Sequence, residues 1–115
     1  MAWDEALAER IRAALGRRAG VVERKMFGGL AFLLDGKMFC GIAKGELMVR
    51  VGPEAYPRAL RRAHVRPMDF TGRPMKGYVF VALEGCRSVR AVRVWTERAA
   101  EFVSSLEARP RRRKR

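Results

Sequence analysis

Two cysteines, one histidine, two tyrosines and two tryptophans are few for a chain of 115 residues. Cys40 and Cys86 lie far apart and form no Cys-x-x-Cys pair. That excludes a disulfide scaffold and zinc-ligand spacing, and the expectation is two buried thiols in a reducing cytoplasm. No apolar run nears the roughly 18 residues a membrane helix needs. Asp4, Glu5 and Glu9 make the first residues unlike a signal peptide. Gly28-Gly29 is not continued as Gly-x-Gly-x-x-Gly, and no Gly-Lys-Ser/Thr occurs, so no nucleotide loop is expected. The expectation is a cytoplasmic chain away from membranes, with no cofactor and no metal.

Acids are scarce too. Lys and Arg number 25 against 12 Asp and Glu, a net charge of +13. Six of the positive charges sit in the closing run Arg109, Arg111, Arg112, Arg113, Lys114 and Arg115. The remainder holds 19 basic groups and 12 acidic ones, an excess of seven. A run of like charge repels itself, so residues 109–115 read as a disordered basic tail on a single domain, 1–108. Two readings of the tail stay open: attraction to nucleic-acid phosphates, or a solubilising extension.

What is present reads as helices around a block of strands. Trp3, Leu7, Ile11, Ala14 and Leu15 recur at helical spacing, with acids opening and arginines closing the segment. Residues 21–27 read as a short connection or edge strand. Apolar 30–34, the turn dipeptide Asp35-Gly36, a strand at 37–42, the turn Lys44-Gly45 and a strand at 46–51 form a three-strand meander. Alternation puts Leu47, Val49 and Val51 on the core face and Glu46, Met48 and Arg50 off it. Pro53 opens a second helix, with Ala55, Tyr56, Ala59, Leu60 and Ala63 as its apolar stripe. A last helix starts near Ser88 as N-cap and carries Val92, Trp95, Ala99, Phe102 and Leu106. Arg87, Arg90, Arg93 and Arg98 line its basic side.

Residues 66–81 hold two of the five prolines, two of the six methionines and two glycines. Each proline pushes the arginine before it towards extended backbone. The segment reads as a stiff arm with a turn near Thr71-Gly72, feeding a strand at 78–83. Met68, Phe70 and Met75 are expected to bury against the core, and Asp69, Arg73 and Lys76 to face out. The whole predicts an α+β fold, an antiparallel sheet with helices packed on one face, in the order α-β-β-β-α-β-β-α.

Lys25-Met-Phe-Gly-Gly-Leu-Ala-Phe, Asp35-Gly-Lys-Met-Phe, Arg66-Pro-Met-Asp-Phe-Thr-Gly-Arg-Pro-Met-Lys-Gly-Tyr-Val and Trp95 before the closing helix together resemble the N-terminal domain of the TfoX/Sxy family. The resemblance spans about residues 3–106. It implies a fold similar to that of secretion chaperones. It also implies a non-enzymatic regulatory role, since the best known members regulate competence as transcriptional co-activators. Those proteins carry a further C-terminal helical domain, where this chain has a short arginine-rich tail.

For an enzyme, the candidate groups are His64, Asp69, Thr71, Arg73, Lys76, Tyr78, Cys40 and Cys86. None pairs visibly as nucleophile and base, and none has metal-ligand spacing, so catalysis is not expected. The expected partner is a protein, a transcription regulator by resemblance. It would be met by the exposed side of the sheet or by Asp69, Arg73 and Lys76. The alternative is direct, non-specific nucleic-acid binding through Arg17, Arg18, the last helix and the tail.

Overall fold

Two positive-φ dipeptides shape the centre of the molecule. The computed structural model describes residues 4–26, 28–69 and 74–108. Trp3, Phe70, Thr71, Arg73 and residues 109–115 lie outside the described residues, as does the side chain of Asp69. Asp35 and Gly36 take φ of 51° and 85°, and Lys44 and Gly45 take 55° and 76°. Both dipeptides thus have the mirror-image turn geometry that matches strand twist and closes two-residue hairpins. They join β2 (Gly29–Leu34), β3 (Lys37–Ala43) and β4 (Glu46–Arg50).

The segment read as a connection or edge strand is β1 (Val21–Met26), an edge strand paired with β2. The meander therefore has four strands rather than three. Its mostly exposed Val-Val-Glu-Arg-Lys-Met sequence hides the strand period, because neither face of an outer strand is fully covered. The two strands expected between the second and last helices are a hairpin within the sheet, β5 (Val65–Asp69) and β6 (Pro74–Val81), so the arm is itself a sheet strand rather than a segment laid across the core. All six strands are antiparallel, in the order β1-β2-β3-β4-β6-β5. Met68 is buried as expected, but Met75 is 38% exposed. The β5–β6 register breaks between Pro67 and Asp69, and Gly77 at φ 95° interrupts regular pleating just after Met75.

Helices cover one face. In α1 (Glu5–Leu15) the Asp4 carboxylate caps the start, accepting from Leu7 N–H at 2.9 Å. Leu7, Ala8 and Ile11 are buried. The second helix is shorter than its apolar stripe suggested. After a turn at residues 53–55, α2 (Tyr56–Ala59) ends before Ala63, which is exposed. α3 (Val89–Ala108) is capped by Ser88 Oγ, which accepts from Ala91 N–H at 3.0 Å. Val92, Trp95, Ala99, Ala100 and Val103 join Leu7 and Ile11 over the sheet. On the sheet side this core takes Leu30, Phe32, Leu34, Leu47, Val49, Val51, Val79 and Val81. A register shift in β2–β3 pairs Phe32 with Cys40 and Leu33 with Met38, so Phe39 is an extra residue. Phe39 and Cys40 consequently both enter the helix-side core, where alternation would send one of them outward. No described helix is long and apolar enough to cross a membrane.

Candidate interaction surface

The other face of the sheet carries its own apolar cluster, made among the described residues of strand residues. Ala43, Met48, Met68 and Phe80 are buried there, with Met38 and Tyr78 half-buried against them. Met48 therefore does point away from the main core, as its alternation with Leu47 and Val49 requires, but it is not left in water. Period two tells which side a residue faces, not whether that side is covered.

The registers define a row across all six strands. Arg24 pairs with Ala31, Ala31 with Gly41, Gly41 with Met48, Met48 with Phe80, and Phe80 with Arg66. An arginine stands at each outer strand, with four uncharged residues between. Gly41 is needed in this row: a Cβ there would meet the backbone of Leu30 and come within 3.0 Å of Met48 Cε. The Met48 side chain occupies the space above β3 that glycine leaves. Beside it, Met26, Leu30, Ala31, Met38, Ile42, Ala43 and Met48 line an apolar pocket of about 30 Å³.

The cations on this face differ in their commitments. The Arg66 guanidinium lies 4.6 Å from the Phe80 ring centre and donates to Glu46 Oε1 at 2.7 Å. Arg50 Nη1 donates to the Met38 carbonyl at 3.4 Å, and its guanidinium stands 5.6 Å from the Tyr78 ring and 5.6 Å from the Phe102 ring of α3, so it also touches the helix layer. Among the described residues neither Arg24 nor Arg50 has a carboxylate partner.

The residues singled out from sequence are dispersed. Lys76 is exposed on β6, while Arg73 and the Asp69 side chain lie outside the described residues. Cys40 is in the helix-side core and Tyr78 in the opposite cluster, so the sheet separates them. His64 is exposed in a left-handed conformation after α2, its carbonyl accepting from Ala82 N–H. Burial pushes the Cys40 thiol above its ordinary range and the Cys86 thiol up to about 11. Among the described residues no cluster of His, Cys, Asp and Glu could hold a metal ion. The helix layer presents open grooves of mixed charge. One of about 360 Å³ is lined by Arg58, Arg98, Glu101 and Phe102 among others.

Sequence reasoning named the exposed side of the sheet but none of Arg24, Met26, Met38 or Arg66 as its members. The β1–β2–β3 meander brings Arg24, Met26 and Met38 to one face, and β6 between β4 and β5 adds Arg66. The family model described as the TfoX N-terminal domain matches residues 13–103, a narrower span than the motifs suggested. No curated protein and no solved structure matches the chain.

Proposed function

Since the chain belongs to the TfoX N-terminal domain family, we propose that it is a non-enzymatic regulatory domain acting by contact with another protein. The role is of the transcriptional co-activator type for which the TfoX/Sxy family is known. The observation that carries this reading is the sheet face away from the described helices, where half-buried Met26, Met38 and Tyr78 border a buried apolar cluster and an arginine stands at each outer strand. Apolar centres with polar rims are what protein interfaces share. Affinity capture from the native cell, before and after nuclease digestion, tests the reading. A protein that stays bound after digestion is the expected result. Loss of every bound protein on digestion overturns it.

A second reading, direct nucleic-acid binding, is favoured by the helix layer. Arg62 and Arg98 both stand near the Trp95 ring, at 5.6 and 5.7 Å, without a carboxylate partner among the described residues. The tail would add six positive charges. If all six meet duplex phosphates, log affinity falls against log salt with a slope near −5, at about −0.9 per contact. Truncation after residue 108 should flatten that slope. An unchanged slope would move the contacts onto the fold.

A further inference from the structure

We propose that the side of the helix layer where α2 meets α3 is a contact surface for the phosphate backbone of duplex nucleic acid, with Arg58, Arg62 and Arg98 as its contacts. The proposal rests on the nucleic-acid reading above and specifies which groups of the fold meet the phosphates.

The chain around α2 runs along α3 in the opposite sense. Residues 53–55 share a groove with Phe102, Ser105 and Leu106, Arg58 shares one with Arg98, and Arg62 reaches Trp95. The guanidinium groups of Arg62 and Arg98 stand 5.6 and 5.7 Å from the same Trp95 ring centre, so one indole gathers two positive charges. Residues 55–68 and 85–96 hold seven arginines and no acid. Glu54 and Glu101 stand towards the Leu106 end of this seam. Neither forms an ion pair with Arg58, Arg62 or Arg98 among the described residues. The positive end of the seam is therefore the one at Trp95.

Exposure selects the partner. Arg58, Arg62 and Arg98 are exposed, while Ala59 and Trp95, the apolar residues among them, are 2% and 5% exposed. A protein partner finds no open apolar anchor between these arginines. Single-stranded nucleic acid is held largely by bases stacked on aromatic rings, and this ring is covered. Charge is what the seam offers, and the closely spaced phosphates of a duplex are bound by charge. Phosphate contacts position a protein without reading bases, so the surface has no sequence preference.

Fluorescence anisotropy of the full chain with two DNA duplexes of unrelated sequence, over a range of salt, tests the proposal. Both duplexes are expected to bind equally. Arg58→Gln with Arg62→Gln and Arg98→Gln should make log affinity against log salt shallower by about 2.7, at about 0.9 per phosphate contact. The triple lysine variant at the same positions keeps the charge and should keep most of the slope. Arg24→Gln with Lys44→Gln and Lys76→Gln removes the same charge from exposed sites on the strands and their turns, and should change the slope little. Arg58→Glu, an exposed site away from the Trp95 ring, gives an independent reading: it should weaken both duplexes at low salt with an unchanged melting temperature. Equal effects of the two triple glutamine variants, or none from the α2–α3 variant, keep the nucleic-acid reading and sink this surface. A strong preference for one duplex, or polyglutamate bound as tightly as DNA, also overturns the proposal. No binding of either duplex by the native chain sinks the reading and the surface together.

Discussion

Arg12 and Glu23 join α1 to the outermost strand of the sheet. Arg12 Nε donates to Glu23 Oε2 at 2.7 Å and Nη2 donates to Oε1 at 2.9 Å. Arg12 Nη1 also donates to Glu9 at 3.0 Å. A two-pronged guanidinium–carboxylate pair is stronger than a single contact, and it fixes the helix over an edge strand that has a neighbour on one side only.

Glu23→Gln should lower stability, but modestly. Both side chains keep over a third of their surface exposed, so solvent screening holds the pair to about 0.2–1 kcal/mol. Hydrogen bonding to Arg12 holds the Glu23 carboxyl below the usual carboxylate range. Its contribution is therefore present above the unfolded-state pKa and is lost as pH falls through the lower folded value. Urea unfolding of the native chain and Glu23→Gln should differ at neutral pH and converge in strong acid. A gap that persists in acid would show that the contact is not ionic.

The Arg12–Glu23 pair could not be read from the chain, and the reason is general. Hairpins declare themselves locally, so Asp35-Gly36 and Lys44-Gly45 were legible with their strands. The caps Asp4 and Ser88 are local too, and the Ser88 cap was read correctly. β1 carries charged residues on both faces and shows its nature only through pairing with β2. The row from Arg24 to Arg66 depends on β6 entering between β4 and β5, which nothing within either segment specifies. Met75 misled because its strand period is broken at Gly77.

Gly52 should tolerate no side chain. Its φ is 90°, and a Cβ there would lie 2.5 Å from the Phe102 ring of α3. The backbone conformation and the collision act together. Gly52→Ala is expected to cost about 1–3 kcal/mol, as overpacking does, and to loosen the last turns of α3. Thermal unfolding of Gly52→Ala and of Gly52→Ala with Phe102→Ala separates the two causes. Partial recovery in the double variant is the expected result, because the strained φ remains. Full recovery would assign the whole effect to the ring.

The two faces of β4 should respond differently to charge and to truncation. Val49 is fully buried beneath the helices, so Val49→Asp leaves an unpaired carboxylate and costs several kcal/mol, about 3–5. Met48→Ala opens a gap in the smaller cluster opposite and should cost about 2 kcal/mol, with the helices still in place. Circular dichroism and urea midpoints measure both. A Val49→Asp protein melting like the native chain would refute the assignment of that face to the core.

The thiols test whether the interior stays closed. Cys40 and Cys86 are both free and buried. Burial raises the Cys40 pKa above the usual thiol range, and brings Cys86 to about 11 even though nearby Arg10 pulls it back. The thiolate is the species that alkylates, so at mildly basic pH neither group reacts from within the folded protein. Modification must wait for an opening of the structure, and its rate then reports the free energy of that opening. Iodoacetamide labelling is expected to be slow for both, slower for Cys40, and to accelerate with urea in parallel with global unfolding. The Cys86 Sγ donates to the Ala82 carbonyl at 3.3 Å beside the short turn that leads into α3, so a local opening there would expose it first. Labelling of Cys86 in native buffer at the rate of a free thiol, with no response to urea, would show an accessible and activated sulfur. That result would make Cys86 a candidate nucleophile.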